Sequence, residues 1–227
     1  MFETFLRTSG HSISELIFTN FPDSLPESAD RFGHILECSI GVCSNLVKLG
    51  IFNCPLQFRS IQMIARLRKL KYLSITPAER TTTMTEQFEK RNYADFAMPS
   101  LKSIRVSTGE NRSVPSITLF DIVQLGQHHL AHLELRNFNN HVINKLQCCP
   151  NLRALALPNT DMPDNIHEIA RCCPLVAHLA IDGFWVGGGS DSLVTLFQRV
   201  SLRSLCFDHT HLCDVSIRGM CALSNTL

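Results

Sequence analysis

The sequence predicts an α/β solenoid of about eight coils, with a curved parallel sheet on the concave face and return helices on the convex face. Three observations predict it. A short apolar pattern, L-x-x-L-x-L with Ile, Val or Phe admitted, recurs eight times along the 227 residues. The central residues of the copies fall 33, 24, 31, 29, 22, 24 and 26 apart. The stretches between copies change from an apolar period of two to one near 3.6.

Each copy reads as a short strand. In L-x-L the two apolar side chains point to one face and the residue between them to the other. The copies are SISELIFTNF (12–21), NLVKLGIFNC (45–54), KLKYLSIT (69–76), SLKSIRVS (100–107), HLAHLELRNF (129–138), NLRALALPNT (151–160), LVAHLAIDGF (175–184) and SLRSLCFDHT (201–210). Their centres are Leu16, Leu49, Leu73, Ile104, Leu133, Leu155, Leu179 and Leu205. A strand of this length cannot bury its apolar face alone, whereas stacked parallel copies share one core with the segments that return the chain.

The returning segments carry the helical period. LQFRSIQMIARLRKL (56–70), ITLFDIVQLGQ (117–127), DNIHEIARCC (164–173) and DSLVTLFQRV (191–200) space apolar residues at i, i+3, i+4 and i+7. In the third, Ile166, Ile169 and Ala170 form the stripe, Asp164 is the candidate N-cap and Pro174 stops the helix. SLPESADRFGHIL (24–36) also falls between two strands and is expected to be a return helix.

Composition narrows the function. Lys+Arg number 21 and Asp+Glu 20, so the net charge of +1 gives no compositional case for nucleic acid or an anionic membrane. The N-terminus lacks the basic, apolar and small-residue regions of a secretory signal. Of the ten cysteines, two vicinal pairs, Cys148–Cys149 and Cys172–Cys173, sit one repeat apart, as buried free thiols would. A reducing compartment, cytosolic or nuclear, is the expectation.

The stretch CCPNLRALALPNTDMPDNIHEIARCCPLVAHLAI (148–181) resembles the cysteine-containing leucine-rich repeat. Cys149, Pro150, Leu152, Leu155, Leu157, Thr160, Asp161, Ile166, Ile169, Ala170, Cys173 and Pro174 fill that family's places. Cys54 takes the post-strand cysteine position of another copy, which Cys43 opens. The resemblance spans nearly the whole chain, with one or two units matching closely. It implies the substrate-recognition part of an F-box-type receptor in an adaptor–cullin ubiquitin ligase, with an adaptor bound through a segment missing here. The opening Leu-Pro at 25–26 leaves too little room before Leu46 for an F-box. The final Asn-Thr-Leu matches the start of a further strand, so one domain over 1–227, a fragment without a C-terminal cap, is expected.

Candidates for chemistry are weak. Asp208, His209, His211, Cys213 and Asp214 form one short string with no second ligand pair spaced to meet it. His128, His129 and His132 flank a strand, and the Gly187–Gly189 run lacks the Gly-Lys-Ser/Thr of a phosphate loop. Trp185, in that loop, would serve as an anchor if exposed. No catalytic residue, cofactor or metal is predicted.

The residues between the apolar positions line the concave face, and those predicted to hold a protein or peptide ligand are Tyr72, Arg105, His132, Glu134, Arg136, His178 and Asp182. Two polar insertions, 76–100 and 107–116, follow adjacent strands and form a second candidate contact zone. A regulatory scaffold without a ligase role is the alternative function. An enzyme with a loop-borne site is the alternative of another class.

Overall fold

Alternating burial runs through most of the strands. The computed structural model describes residues 10–21, 27–78, 98–107, 123, 125–126, 128–137, 146–147, 149–159, 167–182 and 190–208. The chain divides into two compact units, Met1–Gly126 and Gln127–Leu227.

The first unit holds β1 (Glu15–Thr19), β2 (Lys48–Cys54), β3 (Tyr72–Pro77) and β4 (Ser103–Ser107), all parallel and each paired with the next in the chain. The register aligns Leu16, Leu49, Leu73 and Ile104 in one row, the predicted central residues. Leu49, Leu73 and Ile104 are buried, while Leu16 on the outermost strand is half-buried. Ile51, Ile75 and Val106 form the next buried row.

Helix α1 (Ser28–Val42) returns the chain from β1 to β2, where the spacing predicted a return helix. Its Phe32 is fully buried, edge-on to Phe18 of β1 at 5.6 Å and tilted against Phe21 at 5.4 Å. A short 3-10 turn (Gly10–Ser12) sits against its C-terminal end. There a Cβ on Gly10 would lie 2.9 Å from the Val42 carbonyl oxygen, so only glycine allows the approach. Helix α2 (Phe58–Ile64) is shorter than the predicted 56–70. The Gln57 amide donates to Ser60 Oγ at its start, and Leu67 and Leu70 close a turn after it that enters β3.

The second unit repeats the plan with β5 (His132–Arg136), β6 (Ala154–Leu157), β7 (His178–Asp182) and β8 (Ser204–Asp208), parallel and again paired in chain order. Leu133, Leu155, Leu179 and Leu205 share one row, as predicted. Helix α3 (Glu168–Cys172) lies within the predicted 164–173, and α4 (Ser190–Arg199) sits one residue earlier than the predicted 191–200. Asp164, the candidate cap, lies outside the described residues; α3 starts after His167. The predicted helix 117–127 also falls largely outside them.

The thiols occupy equivalent turns. Cys43, Cys149 and Cys173 are fully buried, and each carbonyl accepts the amide three residues on, from Leu46, Leu152 and Val176. None of the three forms a disulfide. Burial pushes the Cys43 thiol above its ordinary pKa, and does the same to Cys54 against the opposing pull of backbone hydrogen bonds. Such thiols stay protonated and unreactive at neutral pH. Among the described residues no helix is long and apolar enough to cross a membrane.

Asparagines end the strands. Asn20, Asn53, Asn137 and Asn159 carry φ of 52, 52, 63 and 51°, a left-handed conformation that asparagine tolerates best after glycine. The turn tips the chain out of the sheet, and the β2–β3 register shifts between Phe52 and Cys54, either side of Asn53. Neighbouring copies join, Asn53 Nδ2 donating to Asn20 Oδ1 at 3.2 Å and Asn159 Nδ2 to Asn137 Oδ1 at 2.6 Å. Replacing Asn53 by Ala is expected to cost about 1–2 kcal/mol, from the left-handed backbone and the lost bond together. Replacement by Gly removes only the bond and should cost visibly less. Urea denaturation of both variants checks the order, and an Ala variant as stable as the Gly variant would refute it.

Candidate interaction surface

The sheet face away from the helices is open in each unit. In the first unit its rows are set by register: Glu15, Lys48, Tyr72 and Ser103 in one, Ile17, Gly50, Ser74 and Arg105 in the next. Tyr72 is 48% exposed and Ile17 54%, high for large apolar side chains on a strand. Lys48 links two neighbours, its Nζ 3.5 Å from Glu15 Oε2 and 6.0 Å from the centroid of the Tyr72 ring.

Gly50, which stands between Leu49 and Ile51 and so on this face, is buried. The Phe52 ring folds back over it: a Cβ on Gly50 would stand 2.7 Å from Phe52 Cε2 and 3.5 Å from Ile17 Cγ1. Gly50 therefore acts as a floor that lets Phe52 and Ile17 lie flat. The result is a low apolar patch of Ile17 and Phe52, beside Tyr72 and bordered by Lys48 and Arg105. Ile17 was not read as a face residue from sequence, although the first copy, SISELIFTNF, places it between the apolar positions.

In the second unit His132, Ala154, His178 and Ser204 make one row and Glu134, Ala156, Ala180 and Cys206 the next. His132, Arg136 and His178 are exposed and Glu134 is half-buried, with Arg136 Nη2 3.9 Å from Glu134 Oε1. Ala154 lies between the two histidines in this row, and among the described residues no three metal-ligating side chains cluster. Asp182 pairs with Asp208 through the strand register, and its side chain lies outside the described residues.

The predicted ligand residues thus form two sets. Tyr72 and Arg105 belong to the first unit; His132, Glu134, Arg136, His178 and Asp182 belong to the second. Trp185, the glycine run, the string 209–214 and nearly all of both insertions lie outside the described residues.

What the open faces offer is non-covalent contact: an aromatic anchor, flat apolar surface and exposed cations held on a rigid sheet. Cys43, Cys149 and Cys173, on the helix side, are buried and form no disulfide.

No protein-family model matches the chain, and no functionally curated protein matches it by sequence. Solved structures do match its fold. Internalin C2 of Listeria monocytogenes aligns with a TM-score of 0.54 at 17% identity, over 96% of this chain and 80% of that one. Human 5T4, also described as Wnt-activated inhibitory factor 1 or trophoblast glycoprotein, aligns with a TM-score of 0.52 at 16% identity, over 93% and 75%. The fold is the α/β leucine-rich-repeat fold.

Proposed function

We propose that this leucine-rich-repeat chain is a non-catalytic interaction module that holds a protein or peptide ligand on its open sheet face. The observation that carries the reading is Tyr72, 48% exposed on a sheet whose buried side is closely packed. An aromatic ring held on rigid backbone loses little conformational freedom on binding, and tyrosine and arginine dominate interface energetics. Ile17 and Phe52 supply flat apolar area beside it, and Arg105 a cation at its border.

In its finer form the module is the substrate-recognition part of an F-box-type ubiquitin ligase receptor in the cytosol or nucleus. Two features support this form. The stretch 148–181 resembles the cysteine-containing repeat, and Cys43, Cys149 and Cys173 are buried and form no disulfide, as suits a reducing compartment.

The test is affinity capture of the natural full-length product from its own cells, followed by mass spectrometry. Capture is repeated with Tyr72→Ala/Arg105→Glu and with Arg171→Glu on α3 as a control. The double variant is expected to lose the partner by about tenfold or more, since a tyrosine anchor contributes about 2 kcal/mol at an interface centre, while the control retains it. Recovery of a cullin and its adaptor supports the ligase form. Another stable partner, equally sensitive to Tyr72→Ala/Arg105→Glu, replaces it with a regulatory scaffold. Equal capture by all three proteins overturns the open-face reading.

A further inference from the structure

A second, chemically different surface lies on the first unit, away from the open face. The segment RLRKLK (66–71) carries four cations in six residues, and it forms the turn between α2 and β3. Arg66, Arg68, Lys69 and Lys71 are all exposed there. Lys102 occupies the equivalent place on the next coil, its amide donating to the Lys71 carbonyl at 2.9 Å. The two lysines therefore stand one strand spacing apart, about 4.8 Å, at the N-terminal edge of the sheet.

A cavity of about 500 Å³ opens beside this edge. Its walls come from the end of α1, through Glu37, Ile40 and Gly41, and from α2 and its turn, through Met63 and Leu67. Met63 and Leu67 are buried and Ile40 half-buried, so the floor is apolar. Ser44, Arg66, Arg68 and Lys69 complete the lining.

Glu37, the carboxylate in the lining, is held by Arg59 at 2.8 Å. Lys69 Nζ donates to the neutral Asn45 side chain at 2.6 Å. Arg66, Lys71 and Lys102 form no ion pair among the described residues. In a chain with a net charge of only +1, such local concentration is not a property of the composition.

We propose that this edge is a docking site for an acidic peptide that seats one apolar side chain in the cavity and lays carboxylates along Arg66, Lys69, Lys71 and Lys102. Charge complementarity selects the acidic class. The apolar floor selects a peptide over a nucleic acid, because the lining offers aliphatic side chains and no aromatic ring for bases to stack on. The site goes beyond the open-face function and uses none of its residues.

Fluorescence anisotropy of the full chain with labelled dodecapeptides tests it. The probes are a Glu-rich peptide with one central Leu, the same peptide with Ala for Leu, and a Lys-rich counterpart. The Glu-rich Leu peptide should bind about tenfold or more tightly than either other probe, and weaken as salt rises. Arg66→Glu/Lys69→Glu should remove that preference. Gly41→Trp should remove the contribution of Leu alone: a Cβ at Gly41 meets nothing within 4 Å, so the substitution fits α1 and the indole fills the cavity mouth. Circular dichroism confirms that both variants fold. Tyr72→Ala should leave this binding unchanged while it impairs the open face, so the two readings fail separately. Equal affinity for the three probes, an acidic preference that survives the double charge reversal, or tighter binding of a single-stranded DNA dodecamer at the same edge would each overturn the proposal.

Discussion

Leu73→Ala is expected to lower the stability of the first unit by about 2–5 kcal/mol, the range for a buried leucine cut back to alanine in a core that relaxes only partly. Leu73 is 1% exposed and sits in register between Leu49 and Ile104, so a cavity there lies between two other buried side chains of the row. The strands on both sides are fixed by backbone ladders, which limits collapse into the space. Against a total stability of about 5–15 kcal/mol for a domain, that is a loss no surface substitution approaches. Leu73→Met, which keeps most of the volume, should cost less than about 1.5 kcal/mol. Guanidinium unfolding monitored by circular dichroism separates the two. If Ala and Met variants unfold with the parent, the central row is not the core of this unit.

Phe32→Ala should cost a comparable amount, about 3–5 kcal/mol, but through a different route. Phe32 is fully buried and meets Phe18 of β1 edge-on at 5.6 Å and Phe21 at 5.4 Å. It ties α1 to the outermost strand, whose own central residues are only half-buried. Aromatic contacts of this geometry add about 0.5–1.5 kcal/mol beyond the area they bury. The loss should therefore be local first: amide exchange in Glu15–Thr19 is expected to accelerate more than in β3. Phe32→Leu keeps the bulk and loses the ring geometry, so it should fall between. Uniform acceleration across β1 and β3 would contradict the tie.

Much of this fold is legible in the amino-acid sequence because its two periods are short and repeat. All eight central apolar residues, Leu16 through Leu205, stand in register with their neighbours within each unit. A single L-x-L would be ambiguous, whereas eight at near-constant spacing are not. Helix ends were harder to read. The apolar stripe over 56–70 continues past Ile64 because Leu67 and Leu70 are buried by a turn as well as they would be by a helix. Periodicity records burial, not backbone hydrogen bonding.

The interaction surface was legible as a face and not as a relief. Alternation places Tyr72 and Arg105 outward, yet says nothing of Phe52 folding over Gly50, which depends on two side chains of one strand and a third on its neighbour. The paired asparagines carry a signal too: Asn stands at the strand end in TNF, FNC, RNF and PNT. The basic edge was equally visible as RLRKLK. Only the placement of Lys102 beside Lys71, from a segment about thirty residues on, makes it a surface.

Within each unit every strand pairs only with the strands before and after it in the chain. The sheet contains no crossing that skips a neighbour, so its length is not tied to its topology. Excising one whole coil, from a residue on β2 to its register partner on β3, would bring β1 against β3 with the same rows of leucines facing the same way. Duplicating that coil would do the converse. Such a chain can lengthen or shorten its open sheet face in whole-coil steps of two to three dozen residues, keeping its core chemistry while the exposed residues of that face are exchanged coil by coil.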